Sequence, residues 1–524
     1  MSAAIDPLTQ ADSTPAQPTV NFSQARFAFR LVETWLTSEE ANLASEAQVE
    51  EQLELRGREV LRLLLQAHIR QRGSGEVGPA LRVFSPPPPA ATPNQSTNPT
   101  PERLDGGVLH SEKRLHQRTL HTILGEVVVE RTAYVAAGEA SIHPLDEQLH
   151  LPQRSFSYPL QGCLVRQAVQ GPFDEAVANV AKATGVKVSK RSAEQVVEEA
   201  AADFSAFYKQ QQATDLKQTG PIVVTGIDCK GVPMIKPEQT LRKPRRGKGD
   251  KKHKKRMATV ATVRTQQPRV RTPEEVVESL FRTTPKEKQA RIRSKSAKPK
   301  EHKRVWANLL DSKDKVIASV VEEVKRVDPT GSKTHVALCD GERALQKRIL
   351  PALQAVVPTV ILILDLMHAV EKLWKVAHCL HAEGSEEATA WVRLAALRIL
   401  QGEVSQVIKG MRQSATKRGL KGTKRETVDK VAAYLRRNRK YMEYDEYLRQ
   451  GLPIASGCVE GACKNLIKDR MERSGMRWSL GGAEAMIQLR SLYLSGDLDD
   501  YWDFHLEQDH HRLYRSGRWE VVEK

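Results

Sequence analysis

Residues 361–368 read ILILDLMH, four consecutive apolar side chains that run into an acid. An apolar run this short, with no polar alternation, suits a strand buried on both faces of a sheet. Two other segments have the same form. Residues 222–227 (IVVTGI) lead to Asp228 in GIDCKG, and residues 336–339 (VALC) lead to Asp340 in LCDGE. Residues 257–263 (MATVATV) make a fourth strand candidate. Together they predict an α/β domain that opens near residue 219. In an open α/β sheet the carboxyl ends of the strands line the functional crevice, so Asp228, Asp340 and Asp365 are expected there. A single aspartate in such a place is usually a turn residue or a helix cap. Three in one domain gather negative charge where a cation can sit.

Residues 366–450 carry no strand signal and read as an all-helical insertion. A further acid follows it in SGCVEGACKNLIK, residues 456–468. Ser456 is placed to cap a helix, Glu460 lies in its first turns, and Gly457, Gly461 and Ala462 let the backbone approach a sheet closely. The simpler account of Glu460 is a favourable charge at a helix amino terminus. The chemical account is phosphodiester cleavage, in which two metal ions about 4 Å apart clamp the scissile phosphate. Mg²⁺ takes hard oxygen ligands and keeps several waters, so three carboxylates suffice.

The chain of 524 residues is long enough for several domains, and its 40% hydrophobic and 28% charged residues suit a globular protein. The net charge of +17 is unevenly placed. Residues 241–256 carry +9 and residues 282–304 carry +8, so two local runs account for all of it. Isolated basic runs are commonly solvated loops. Two runs flanking one strand candidate suggest a polyanion footprint instead, with Arg242, Lys243, Arg245, Arg246, Lys251, Lys252, Lys254, Lys255, Arg256, Arg291, Arg293 and Lys295 as DNA-backbone contacts. The six cysteines form no CxxC pair, which argues against a disulfide frame or a cysteine zinc site. The amino terminus lacks a signal-peptide pattern, and no apolar stretch approaches the roughly 20 residues of a membrane helix, so a cytoplasmic protein is expected. No GxGxxG or GxxxxGK[ST] follows the first strand, which disfavours a nucleotide-binding enzyme.

Upstream of the sheet, residues 1–20 are polar and expected to be disordered, residues 21–72 show helical periodicity at Phe27, Leu31 and Trp35, and residues 73–105 form a Pro-rich linker. Residues 106–152 predict a small β element, a hairpin of 118–124 and 127–134 turning at Gly125-Glu126. Residues 153–215 read as helices. Phe173–Thr184, a stop at Gly185, a cap at Ser189 and a helix over 191–207 make a helix-turn-helix pattern, which is also the pattern of an ordinary helical pair. Residues 219–365 are the expected catalytic core with basic loops, and residues 451–524 its closing helices.

The order of these elements resembles bacterial insertion-sequence transposases of the acidic-triad (DDE) type, closest to the ISKra group. The resemblance rests on Asp228-Cys229-Lys230-Gly231-Val232, Asp340-Gly341, Asp365-Leu366-Met367-His368 and Ser456-Gly457 with Val459-Glu460, and it spans most of the chain. It implies an RNase H-like catalytic domain in which Asp228, Asp340 and Glu460 hold two Mg²⁺ or Mn²⁺ ions. It places Asp365 and His368 near the active site in a supporting role, with Arg477 beside a phosphate. It implies binding to double-stranded DNA at element ends and target, and a homo-oligomer in the synaptic complex. Cys229 and Glu342 depart from the family pattern, which has Gly and a small residue there. The alternatives are a metal-dependent nuclease without strand transfer and a non-catalytic DNA-binding regulator.

Overall fold

The computed structural model describes residues 21–84, 106–211, 219–235, 255–281, 301–514 and 518–523. Residues 1–20, most of the Pro-rich linker, and residues 241–254 and 282–300 of the basic runs lie outside the described residues. The chain divides into two compact units, residues 1–167, 173–193 and 503–524 in one and residues 168–172 and 194–502 in the other.

The first unit opens with helices Ser23–Leu36, Glu39–Leu43 and Glu46–Gln71. Ser45 and Gln48 start the long helix with a reciprocal capping box, which satisfies two otherwise orphaned amides. Trp35 is buried as its periodicity predicts, but Phe27 and Leu31 are 64% and 50% exposed. Strands β1 (Ala80–Val83), β2 (Val108–His110), β3 (Glu112–Thr122) and β4 (Gly125–Val135) follow. The linker expected over 73–105 therefore contains a strand. β1 lies between β2 and the carboxy-terminal β10 (Trp519–Val522), a pairing no local pattern announces. The hairpin turns at Ile123-Leu124, not at Gly125-Glu126, because the Thr122 hydroxyl closes the turn. It accepts from Leu124 N at 3.2 Å and donates to Gly125 O at 2.8 Å, and Gly125 (φ 124°) opens β4. Gln66 of the long helix bonds both backbone groups of Val128 at 2.8 Å. Ile69 then packs on Leu120, Val127, Val129, Leu145 and Leu151. Helix Phe173–Thr184 forms as read, Gly185 stops it at φ 75°, and Ser189 Oγ caps the next helix through Ser192 N at 3.0 Å. That next helix, Lys190–Ala200, contains the division between the units, and the chain resumes as Phe204–Gln210.

The second unit is mixed α/β around five strands: β5 (Ile222–Pro233), β6 (Lys255–Gln266), β7 (Lys303–Asn308), β8 (Thr334–Cys339) and β9 (Val360–Leu364). Their order is β7-β6-β5-β8-β9. β6 runs antiparallel to both neighbours, whereas β5, β8 and β9 run parallel. Parallel strands need crossovers, and helices Lys313–Val327 and Arg343–Gln354 supply them before β8 and β9. The Val/Ile/Leu runs are buried on both faces, as their lack of alternation requires. β7 begins inside what reads as a basic loop. Its Arg304 is buried, donates to Glu323 at 2.6 Å and stacks on the Tyr208 ring at 3.4 Å. The expected loop 282–304 thus ends in sheet at 303–304, and the loop 241–256 ends in sheet at 255–256.

Helices Leu366–Leu380, Glu386–Leu400, Val404–Lys417, Gly422–Asn438 and Tyr444–Arg449 fill the insertion, with no strand in it. Their apolar faces share one core with the sheet. Helix Gly457–Ala462 then passes into a π-helical segment, Cys463–Lys468, and helices Leu480–Ser495 and Leu498–Leu513 follow. No described helix is long and apolar enough to cross a membrane.

Candidate metal centre

Asp228 lies inside a strand, not behind one. β5 continues five residues past it to Pro233, paired with β6 throughout, and Asp228 faces Val260 across that ladder. The parallel pairing with β8 ends at Leu338 opposite Gly226, so Asp228 stands where β5 leaves its parallel neighbour. Its Oδ1 accepts from Cys229 N at 2.6 Å, and its Oδ2 accepts from the Cys463 thiol at 3.3 Å.

Helix Gly457–Ala462 meets β5 at this point. A Cβ built on Gly226 would stand 3.2 Å from Val459 Cβ and 3.1 Å from Thr262 Oγ1, so the close approach depends on glycine in the strand. Glu460 of that helix and Cys463, the first residue of the π-helical segment that continues it, are three residues apart, about one helical turn.

Asp340 follows β8 directly. Its Oδ1 turns back to accept from Glu342 N at 2.8 Å. The insertion holds the same turn: Tyr434 donates to Asp340 O at 2.7 Å, and Arg437 to Gly341 O at 3.3 Å. Gly341 (φ 85°) leaves room for the Tyr434 ring, which would stand 2.9 Å from a Cβ there. Glu342 is exposed and faces Lys313 at 3.7 Å, so it points to solvent and not to the other acids.

Asp365 is fully buried. Its Oδ1 caps helix Leu366–Leu380 through Met367 N at 2.6 Å, and its Oδ2 accepts from the backbone N (2.6 Å) and the hydroxyl of Ser456. Ser456 occupies the N-cap position of the Glu460 helix but its side chain makes no cap bond, because Asp365 takes it. One ligand atom each from Asp365, His368 and Glu460 lie within 4.8 Å of one another, and this group could hold a metal ion. Asp228 and Asp340 are not members of it. Burial, then the Asp365 charge, pushes the Glu460 carboxyl above its ordinary value; His368 opposes the shift, and Glu371 and Asp228 add to it. Burial likewise raises Asp365 against the pull of the Ser456 and Met367 amides. His368 Nδ1 also faces Glu371 at 3.5 Å. Acids therefore outnumber cations here, the electrostatic condition for recruiting one.

Arg477 is exposed. The next residue, Trp478, is buried. Its backbone pairs beside the end of β5, with Trp478 N on Pro233 O at 3.1 Å and Ile235 N on Trp478 O at 2.9 Å, and its indole donates to Met471 O at 3.0 Å. Of the twelve basic residues read as DNA contacts, only Lys255 and Arg256 are described. Lys255 pairs with Glu472 at 2.7 Å, and Arg256 Nε donates to Leu309 O at 3.0 Å. Sequence reasoning missed Ser456 as the partner of Asp365, and it missed Cys463 and Tyr434. Cys463 was findable, since it follows Glu460 by one helical turn; Tyr434 and the Asp365–Ser456 pairing join segments about 90 residues apart and leave no local signal.

No protein-family model matches the chain, and no curated protein matches it.

Proposed function

We propose that the chain is a DNA transposase of the acidic-triad type with an RNase H-like catalytic domain. One observation carries the proposal: a glutamate returning after an all-helical insertion stands on a helix seated against Gly226 of the central strand of a β7-β6-β5-β8-β9 sheet, two residues before Asp228 of that strand. That strand order, with β6 alone reversed, supports the RNase H-like reading. The oxygen-rich donors with one imidazole, and the excess of acids around Glu460, fit a divalent cation. In this reading Asp228, Asp340 and Glu460 hold two Mg²⁺ or Mn²⁺ ions, which when bound would activate a water and stabilise the leaving oxygen. Asp228 is oriented by Cys463, Asp340 by the turn that Tyr434 holds, and Glu460 by its helix on Gly226. The amino-terminal helices and the helix-turn-helix segment recognise terminal inverted repeats of double-stranded DNA, Arg477 and the basic runs hold backbone phosphates, and a homo-oligomer pairs the two ends.

The test uses the full chain, Mg²⁺ and duplexes taken from the DNA flanking its coding sequence. The wild type is expected to nick those duplexes and join the released 3′ end to a second duplex, and Asp228→Ala, Asp340→Ala and Glu460→Ala each to abolish nicking while retaining DNA binding. Nicking without joining would make it a nuclease, and binding without nicking a regulator.

A further inference from the structure

Asp365 is the most buried carboxylate near the site. It receives three hydrogen bonds from two segments 91 residues apart: Met367 N on one side, Ser456 N and Oγ on the other. The backbones join at the same place. Leu366 N donates to Ile454 O at 2.9 Å, Asp365 N to Cys339 O at 2.8 Å, and the buried Tyr444 hydroxyl to Leu364 O at 2.7 Å. The insertion leaves the sheet at Asp365 and returns at Ser456, so this knot is where its two ends are tied. Glu460 follows Ser456 by one helical turn, and Glu460 N donates to Ser456 O at 3.0 Å. The position of the Glu460 carboxylate is therefore set by the residue that Asp365 grips.

Resting on the proposed metal chemistry, we infer that Asp365 is a positioning residue: it latches Ser456 and so fixes Glu460 for its cation, and does not itself bind the metal. Three of the roughly four acceptor sites of the Asp365 carboxylate are taken by its own chain, and the side chain is shut off from solvent, which leaves it the poorest of the three groups for an arriving ion. Asp365 belongs to the group of three possible ligands because the latch draws it to within 4.8 Å of His368 and Glu460. The residues exposed to an arriving ion are the other two.

The two roles predict opposite results for Ser456, which offers no charge to a metal. Mn²⁺ alone is the probe, titrated into the full-length protein and read by electron paramagnetic resonance. Ser456→Ala should weaken Mn²⁺ binding about tenfold, the scale on which lost outer-shell support acts. It should have no further effect in a Glu460→Gln background, because the latch works only through Glu460. A merely structural role would lower the melting temperature in both backgrounds without this dependence. Asp365→Asn keeps the shape but leaves one oxygen for three donors, and should match Ser456→Ala in size; it provides the same comparison if the alanine variant does not fold. The inference is overturned if Ser456→Ala binds Mn²⁺ like the wild type while Asp365→Asn does not bind it, since Asp365 would then be a ligand. It is equally overturned if the wild type binds no Mn²⁺. Normal Mn²⁺ behaviour in a protein that never cuts DNA would sink the transposase reading and leave the latch standing.

Discussion

Val459 occupies the space that a side chain at Gly226 would need: its Cβ is 3.2 Å from where the Gly226 Cβ would stand. The glycine is in the middle of a strand, where it costs stability for want of a side chain to pack. What it permits is the seating of the Glu460 helix on β5. Gly226→Ala should force that helix outward, destabilising the protein by about 1–3 kcal/mol as overpacked core substitutions do. Because Glu460 moves with Val459, metal-dependent cleavage should fall further than the melting temperature alone accounts for. Activity measured well below the melting point tests this; unchanged turnover there would mean the helix has slack.

Among the described residues the Cys463 thiol is the one side-chain donor on the Asp228 carboxylate, at 3.3 Å. Cys463→Ala removes it, and Cys463→Ser replaces it with a stronger donor. A net contribution near 1 kcal/mol translates into about a fivefold loss of cleavage for the alanine variant at limiting Mg²⁺. The serine variant should stay at or above wild type. Equal losses in both would show that the site responds to the volume at position 463 and not to the hydrogen bond.

How much of this could be read from the sequence depends on the range of the interaction involved. β9 was legible to the residue, since VILIL is apolar without a break and ends at an acid. β5 was legible only for its first half: IVVTGI is a buried strand, but DCKGVP continues the same hairpin with mixed side chains because it has left its parallel neighbour. β7 was hidden, since Lys303 and Arg304 belong by composition to a basic run; the rings of Tyr208 and Trp306 and the carboxylate of Glu323 surround Arg304 as a buried residue. Asp228, Asp340, Asp365 and Glu460 were singled out by their placement after apolar runs or on the following helix, and of these the structure draws Asp365 and Glu460 together, with His368. The division of labour among them was not legible, because Ser456 looks like an ordinary helix cap until Asp365 is seen to take its hydroxyl.

Glu323 makes a pH prediction. It is buried, and burial alone would raise its carboxyl; hydrogen bonds from His302 and Arg326 and the charges of Arg304 and Arg326 outweigh that and hold it well below the usual range. A carboxyl depressed in the folded state binds fewer protons there than in the unfolded chain. Its stabilisation is complete above the unfolded value near 4.3 and is lost as pH falls through that value toward the folded one. Glu323→Gln strands Arg304 in the core, and should cost about 3–5 kcal/mol at pH 7. The deficit should narrow below about pH 4.5 as the wild type gives up the same interaction. Urea unfolding of both proteins at pH 7 and pH 4 provides the check; a gap of constant size would place the depressed carboxyl elsewhere.

The two basic runs carry the last prediction. Lys255, Arg256, Lys303 and Arg304 belong to strands, and Arg304 is ion-paired in the core, so they are not free to reach a phosphate along an extended loop. Residues 241–254 and 282–300 keep eight Lys/Arg each. Residues 241–254 lead in sequence into β6 and residues 282–300 into β7, so both runs attach to the unit that carries Asp228 and Glu460. Replacing both with Gly/Ser linkers should weaken binding about equally for specific and random DNA, because phosphate contacts hold register without reading sequence. Each lost contact removes about 0.9 from the slope of log affinity against log salt on duplex DNA. If about a third of the sixteen side chains engage, the slope should drop by about five. Retaining the strand residues 255–256 and 303–304 in the replacement keeps the sheet intact, and circular dichroism would confirm that. Affinity titrations at four salt concentrations, with and without the runs, then decide the matter. An unchanged slope would mean that the charge concentrated in these runs does not meet DNA.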